Sequence, residues 1–459
     1  MGERPIRRVL IANRGEIAVR VVRTCRMLGI ETVVAVSTAD RDSLAARLAD
    51  RSVCIGPAPA ARSYLHIPSL LAAALGTGCD AVHPGYGFLA ENPEFASACV
   101  DAGLVFVGPR PEVVAEAGDK ARARELARSA GLPVLAGSPI LTDVDEAAAA
   151  AAQLGYPLLV KTAAGGGGRG MSVVDDESAL RARFPAAAEE ARAAFGDGRL
   201  YLERFIPRAR HIEVQVLGDQ HGHVVHLGER DCTLQRRHQK VIEESPAPNL
   251  PAAVREDIHR SAVAFARALE LDNAGTVEFV YDTEAGTYAF LEFNARIQVE
   301  HPVTEMVTGV DLVAEQLRSA AGEPLRFTQR EITVTGHAIE ARITAEDPTR
   351  DFTPCPGTVR HWRPPDGPGI RVDSHCEAGY VVTPYYDSLL AKIIAHGPDR
   401  DSAADRLVSA LDQLEVTGLA TTAAFERFTL EHPDFRDGTV TTEWIAAVGL
   451  PDYVEKQGS

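Results

Sequence analysis

Over the first hundred positions the apolar residues come in short runs, separated by stretches of helical spacing. "RRVLIA", Arg7 to Ala12, reads as a buried strand. "NRGEIAVRVVRTCRML" follows with a helical period and stops before Gly29, a residue suited to the left-handed position that ends a helix. "ETVVAVST" is the next strand, and "CDAVHPGYGFLAEN" and "LVFVGP" continue the rhythm to about residue 110. Strand, helix and strand in alternation predict a parallel doubly wound unit. No GxGxxG follows the first strand, so the dinucleotide fingerprint is absent. "HPGYGF" reads as a tight turn.

A second unit begins near Glu112. "DKARARELARSAG" is a short basic helix closed by Gly131, and an alanine-rich helix runs from Asp145 to Leu154. "YPLLVKTAAGGGGRGMSVV" reads as a hairpin with a glycine tip, and a further helix covers Glu177 to Phe195. "LYLERFI", "HIEVQVLGD" and "HVVHLGERD" are strands, with turns around Gly218 to Gly222. "GTVEFVYD" and "TYAFLEFNARIQV" predict an antiparallel pair joined by "TEAG". After a linker at residues 322–332, Pro and Gly cluster in "PCPGTVRHWRPPDGPG". Strands and a helix from Ser402 to Leu414 then predict a third unit.

The stretch "TYAFLEFNARIQVEH" shows one alternation with chemical content. Every second residue from Glu292 is polar: Glu292, Asn294, Arg296, Gln298, Glu300. Phe293, Ala295, Ile297 and Val299 lie between. Period two predicts a strand carrying the polar row on one face as far as Glu300, with His301 on the packed side. Glu and Asn are poor strand formers, so propensity does not account for the row. A wet sheet face is the plain alternative.

Composition narrows the classes. The chain has 459 residues, too many for one ordinary domain, and a formal net charge of -17. That charge argues against nonspecific binding to nucleic acid or anionic membranes. Seven scattered cysteines, with no CxxC pair, predict reduced thiols in a cytoplasmic protein rather than a disulfide framework or a zinc site. No apolar run approaches a membrane span, and Asn13, Arg14 and Glu16 interrupt the first one too early for a signal peptide.

Three constellations carry chemistry. Glycines 165–168 and Gly170, with Lys161 at the base of the hairpin, can wrap phosphate oxygens with backbone amides. No Gly-Lys-Ser/Thr follows, so this is not a Walker A loop, and a loose surface turn is the alternative. In "ERDCTLQRRHQKVIEESPAP", Arg236, Arg237, His238 and Lys240 can bind an anion or form a solvated charge run. Glu278 in "VEFVYD" falls near Glu292 and Asn294 if the two strands pair. Two carboxylates and an amide oxygen suit Mg²⁺, whereas two carboxylates with no cation repel. Together these predict a site for a metal–nucleotide and a second small substrate.

"RDCTLQRRHQKVIEESPAP", "NARIQVEHPVTEMVTG", "HPGYGFLAENPEFA" and "GGGGRGM" together resemble the biotin carboxylase family of the ATP-grasp ligases, from Arg7 to about residue 450. The resemblance implies a multidomain fold of α/β and α+β type. An N-terminal Rossmann-like domain would cover residues 1–115, and an ATP-grasp domain 116–330, with a mobile lid at about 134–204. A C-terminal biotin carboxylase domain would cover 331–459. It implies that ATP with Mg²⁺ or Mn²⁺ activates bicarbonate as carboxyphosphate, which then carboxylates N1′ of biotin on a carrier protein. By motif position Lys120, Lys161, Gly165, Gly166, Gly167, Gly168, Met171, Glu203, His211, Gln235 and His238 match ATP contacts. Glu278, Glu292 and Asn294 match metal ligands, the two glutamates also facing the nucleotide. Lys240, Arg296, Gln298 and, through its backbone, Val299 match the bicarbonate site. Glu300 matches the general base, and Arg342, with Tyr86, the biotin contacts. Three departures are Ala164 in place of a fifth lid glycine, Ala295, and Arg204 where a lysine is frequent.

The resemblance implies a biotin carboxyl carrier protein and a carboxyltransferase as partners, and a homodimer. No methionine flanks a lysine in the carrier pattern, so the 459 residues are expected to carry no biotin of their own. The lack of a carboxyltransferase region suits a subunit of an acetyl-CoA-type complex. The final acceptor stays open among acetyl-CoA, other acyl-CoAs, pyruvate and urea. An ATP-grasp ligase for another carboxylate, or an inactive ATP-binding module, are the remaining alternatives.

Overall fold

Val9, Leu10 and Ile11 have no exposed surface. A strand apolar on both faces belongs in the middle of a covered parallel sheet, and that is where it lies. In a computed structural model that describes residues 5–163 and 171–458, the N-terminal part is a five-stranded parallel sheet. Its strands are β1 (Arg8–Ile11), β2 (Glu31–Ser37), β3 (Arg51–Gly56), β4 (Ala81–His83) and β5 (Val105–Phe106), in the order β3-β2-β1-β4-β5. Helix α1 (Gly15–Met27) follows β1 and buries Ile17, Ala18, Val21, Val22 and Cys25. Gly29, at φ +71°, turns the chain out of it.

The predicted glycine hairpin is present in its strands. β6 (Leu158–Thr162) pairs antiparallel with β7 (Ser172–Val174) and, on its other edge, with β8 (Leu200–Arg204). Gly165, Gly166, Gly167 and Gly168 lie outside the described residues.

The largest sheet has eight strands. Five come from the central part of the chain: β9 (Ala209–Gly218), β10 (Val224–Arg236), β11 (Gln239–Ser245), β12 (Ala274–Asp282) and β13 (Thr287–Asn294). β14 (His337–Thr344) and the strands Leu389–Gly397 and Ile370–Ser374 complete it, in the order β13-β12-β9-β10-β11-β14 and then those two. The sheet therefore runs across the linker read at 322–332. On β9, Ile212, Val214 and Val216 pack into a core with Phe265 of the helix Ala252–Ala268. The alternate residues His211, Glu213 and Gln215 are buried too, Glu213 and Gln215 completely. The face that alternation marks as polar is not a wet face. It is an interior one.

One sequence reading needs correction. β13 stops at Asn294 instead of continuing to Glu300. It is the edge strand, and its partner β12 begins at Ala274, so the ladder that pairs Asn294 with Thr276 has almost run out. Arg296 lies in a bend, and Glu300 caps the helix His301–Thr308, with Pro302 in its first turn. The stretch "RRHQKVIEES", read as an anion site or a solvated charge run, forms the β10–β11 hairpin, with Arg237 and His238 at positive φ in its turn. Among the described residues no helix is long and apolar enough to cross a membrane.

Candidate active site

A cavity of about 1120 Å³ opens between the three parts of the chain. Among the described residues, every predicted site residue except Glu203 lines it. Tyr86 comes from the loop after β4 and Lys120 from the start of the helix Lys120–Ser129. Lys161 is the penultimate residue of β6, and Met171 adjoins β7. His211, Gln235, Lys240, Glu278 and Glu292 project from β9 to β13, His238 stands at the hairpin turn, and Arg342 enters from β14.

The carboxylate pair is set by register. Glu278 and Glu292 are direct partners across β12 and β13, and the Asn294 amide donates to Glu278 Oε1 at 2.9 Å. Two ammonium groups and an imidazole surround this pair. Lys240 Nζ is 3.2 Å from Glu278 Oε1, His211 Nε2 is 3.0 Å from Glu278 Oε2, and Lys120 Nζ is 3.4 Å from Glu292. Burial opposes the charge on His211, but the Glu278 carboxylate prevails and raises its pKa above the usual value. Glu278 itself is buried, yet Lys240 and His211 hold it far below the carboxylate range. The donor set is carboxylate and amide oxygen, which fits a hard divalent cation. Ammonium groups now sit on those same oxygens.

Glu300 is the second focus. Lys240 Nζ lies 2.5 Å from its Oε1, and Arg342 Nη2 donates to its Oε2 at 2.8 Å. Burial alone would protonate it, but Lys240, Arg342 and Arg230 keep it ionised well below the ordinary carboxylate pKa. Lys240 also bonds Glu213, which in turn accepts from the fully buried Arg230. Burial opposes the Lys240 charge, and Glu213, Glu278 and Glu300 together overcome it. Arg296 is tied to Glu91 at 2.7 Å, to Gln298 Oε1 at 2.7 Å and to Asn294 Oδ1 at 3.1 Å. Asn294, Arg296 and Gln298 thus stay linked although the strand does not continue, because hydrogen bonds from Arg296 replace the ladder, and Gln298 donates to Glu278 at 3.2 Å.

The remaining predicted residues form the cationic side. Lys161 is buried and meets Glu203 at 2.7 Å, and Glu203 also pairs with Arg124. Burial, with Lys120 and Arg124 close by, pushes the Lys161 ammonium down to about 7 against the pull of Glu292. Glu203 lies behind this lysine and away from the cavity wall. Gln235 bridges the His211 ring and the Cys232 carbonyl.

Sequence reasoning passed over Glu213, Arg230, Arg124 and Glu91. Glu213 had a signal, since it lies two residues from His211 on β9 and so shares its face. Arg230 had none, because its partners Glu213, Gln215, Thr276 and Thr304 come from β9, β12 and a helix far along the chain.

Comparison with known proteins decides the family. Residues 5–114 match the family model described as biotin carboxylase, N-terminal domain. Residues 119–328 match that of the carbamoyl-phosphate synthase L chain, ATP binding domain, and residues 340–447 the biotin carboxylase C-terminal domain. A biotin carboxylase from Nostoc sp. is 50% identical over 439 residues, 95% of this chain and 98% of that one. The chain belongs to the biotin carboxylase family. It is accordingly an ATP-dependent ligase, the biotin carboxylase of a biotin-dependent carboxylase. Among solved structures, the biotin carboxylase domain dimer of Hydrogenobacter thermophilus 2-oxoglutarate carboxylase, in complex with MgADP, ADP and bicarbonate, superposes with a TM-score of 0.94 at 45% identity. It covers 97% of this chain and 98% of its own. A Rhizobium etli pyruvate carboxylase variant with acetyl coenzyme A gives 0.92 at 42% identity, over 97% of this chain and 40% of that longer one.

Proposed function

We propose that this cytoplasmic chain uses ATP and bicarbonate to carboxylate N1′ of biotin on a separate carrier protein. The reaction would be the first half of an acetyl-CoA or acyl-CoA carboxylase of fatty acid synthesis. The observation that supports this most is the grip on Glu300, with Lys240 on one oxygen and Arg342 on the other.

Glu278, Glu292 and Asn294 would hold Mg²⁺ or Mn²⁺, which when bound offsets the charge of the terminal phosphates. Lys120, Lys161 and His238 would orient those phosphates. Lys240, Arg296, Gln298 and the backbone at Val299 would seat bicarbonate. An anion there competes with Glu300 for Lys240. Partly released from that pair, Glu300 becomes the stronger base and takes the bicarbonate proton. The bicarbonate oxygen then attacks the γ-phosphorus, ADP leaves, and carboxyphosphate forms. Arg342 stands where a guanidinium can stabilise the ureido oxygen of biotin as N1′ loses its proton. N1′ takes the carboxyl group, and phosphate departs with the N1′ proton.

The same reading divides the chain at about residues 115 and 330, in keeping with the three family matches. It takes residues 134–204 as a lid. The Hydrogenobacter dimer supports a homodimer. The likeness to 2-oxoglutarate and pyruvate carboxylases favours a 2-oxo acid as the second reading of the acceptor. ADP release that depends on bicarbonate and rises with biotin is the expected result. A chain with neither dependence overturns the reading. Recovery of the co-purifying carboxyltransferase, assayed with acetyl-CoA, pyruvate and 2-oxoglutarate, decides the acceptor.

A further inference from the structure

Lys392 is flanked by apolar residues in the strand "LLAKIIAHG", and it has no exposed surface. A buried ammonium survives only with partners that compensate its lost hydration. Its Nζ donates to the Val299 carbonyl at 2.7 Å and lies 3.1 Å from Glu16 Oε1, with Asp373 at 4.0 Å. Glu16, at the start of α1, is buried and accepts on the same oxygen from the Tyr86 hydroxyl. Lys392 does not line the cavity, although Val299, Glu300, Glu16 and Tyr86 all do.

Lys392 and Arg342 are direct cross-strand partners, so their side chains leave the sheet side by side. Arg342 bonds the Glu300 carboxylate while Lys392 bonds the carbonyl of the preceding residue. Two neighbouring cations thus hold the same two-residue turn, one by its side chain and one by its backbone. A trans peptide points its C=O and N–H in opposite directions. With the Val299 carbonyl drawn back to Lys392, the Glu300 N–H is turned the other way.

We propose that Lys392 is a positioning residue that locks the Val299–Glu300 peptide for anion binding, and that Glu16 links it to Tyr86 on the biotin side. The inference rests on the reading of this cavity as the bicarbonate and biotin site. Lys392 touches neither substrate. It sets the direction of the peptide and the base that do, and Tyr86 and Val299 are joined through Glu16 and Lys392 across all three parts of the chain.

The test compares the wild-type chain, Lys392→Met, Lys392→Arg, and the double variant Lys392→Met/Glu16→Gln, which removes the buried charge left by the single change. Bicarbonate-dependent ADP release, nucleotide affinity and melting temperature are measured for each. In the double variant the KM for bicarbonate is expected to rise on the order of 10-fold to 100-fold, the cost of a small misplacement, with nucleotide affinity within about 2-fold of wild type. Lys392→Arg should restore part of the loss. A double variant with unchanged KM, or with bicarbonate and nucleotide affinity lost in parallel, overturns the positioning role and leaves the functional reading intact. A wild-type chain without bicarbonate dependence overturns that reading, and this inference with it.

Discussion

As the proposed base, Glu300 has to be both ionised and available. Lys240, Arg342 and Arg230 favour the first, and in the proposed reaction competition from an incoming anion would supply the second. Glu300→Gln keeps the size of the side chain and removes the base. Bicarbonate-dependent turnover should fall by about 10²–10⁴-fold, while nucleotide titration by fluorescence stays near wild type. Retention of activity within a few fold would assign the base elsewhere. Glu340 shows the opposite electrostatics. It is fully buried on β14, both its oxygens lack hydrogen-bond partners, and Glu243 is its partner across the strands. Burial, with Glu243 adding repulsion, raises its pKa well above the carboxylate value despite Lys392. A raised folded pKa favours folding fully below the unfolded value of about 4.3, and this contribution is lost as pH rises through the folded value. Glu340→Gln has no such loss. Denaturant titrations should show the variant more stable than wild type at pH 8, with the gap closing toward pH 5. A gap independent of pH would refute the assignment.

The β12–β13 pair aligns Glu278 with Glu292, and a bulge after Glu278 sets the offset that carries both Phe290 and Phe293 to the core. Gly275 makes this packing feasible, because a Cβ there would stand 2.3 Å from the Phe293 ring. Gly275→Ala should cost about 1–3 kcal/mol as an overpacked core does, read as a lower melting temperature. Activity should fall with it, because a displaced Phe293 moves Glu292 and Asn294. Unchanged melting would mean that the ring has room to yield. Glu292→Gln leaves the strand in place and removes one carboxylate from the pair. The Mg²⁺ concentration needed for half-maximal ADP release should increase, and an unaltered metal titration would exclude Glu292 as a ligand.

At the scale of the molecule, the N-terminal sheet is fastened to the rest by buried charge as well as by apolar packing. Arg20 of α1 bonds Glu305 and Asp311, each at 2.8 Å, and Arg371 reaches Glu305 at 2.7 Å from the last strand of the large sheet. Removing one member of such a buried set leaves its partners uncompensated. Arg20→Ala should lower stability by roughly 3–5 kcal/mol, although Arg20 lines no part of the cavity. The expected signature is earlier unfolding of the N-terminal part in hydrogen exchange, with turnover reduced because Tyr86 and Glu16 belong to that part. Uniform protection across the chain would show that the network does not hold these parts together.

Much of this was legible in the sequence, for local reasons. The buried first strand, the helix closed at Gly29 and the hairpin that pairs Glu278 with Glu292 follow from period, turn residues and apolar runs, which act over a few positions. The motifs pointed to the family, and nearly all the described residues they singled out line the cavity. The sequence did not show that β13 ends at Asn294, because a strand lasts only as long as its partner. It did not show that the alternate face of β9 is interior, since period two separates faces without saying what covers them. Lys392, Arg230 and Glu340 were invisible for the same reason. Strand order is non-local, and it brings Lys392 beside Arg342 and Glu340 beside Glu243. Alternation and turn chemistry are short-range and can be read along the chain. Charge and desolvation act through space, so only the tertiary structure decides which of these groups share one enclosed volume.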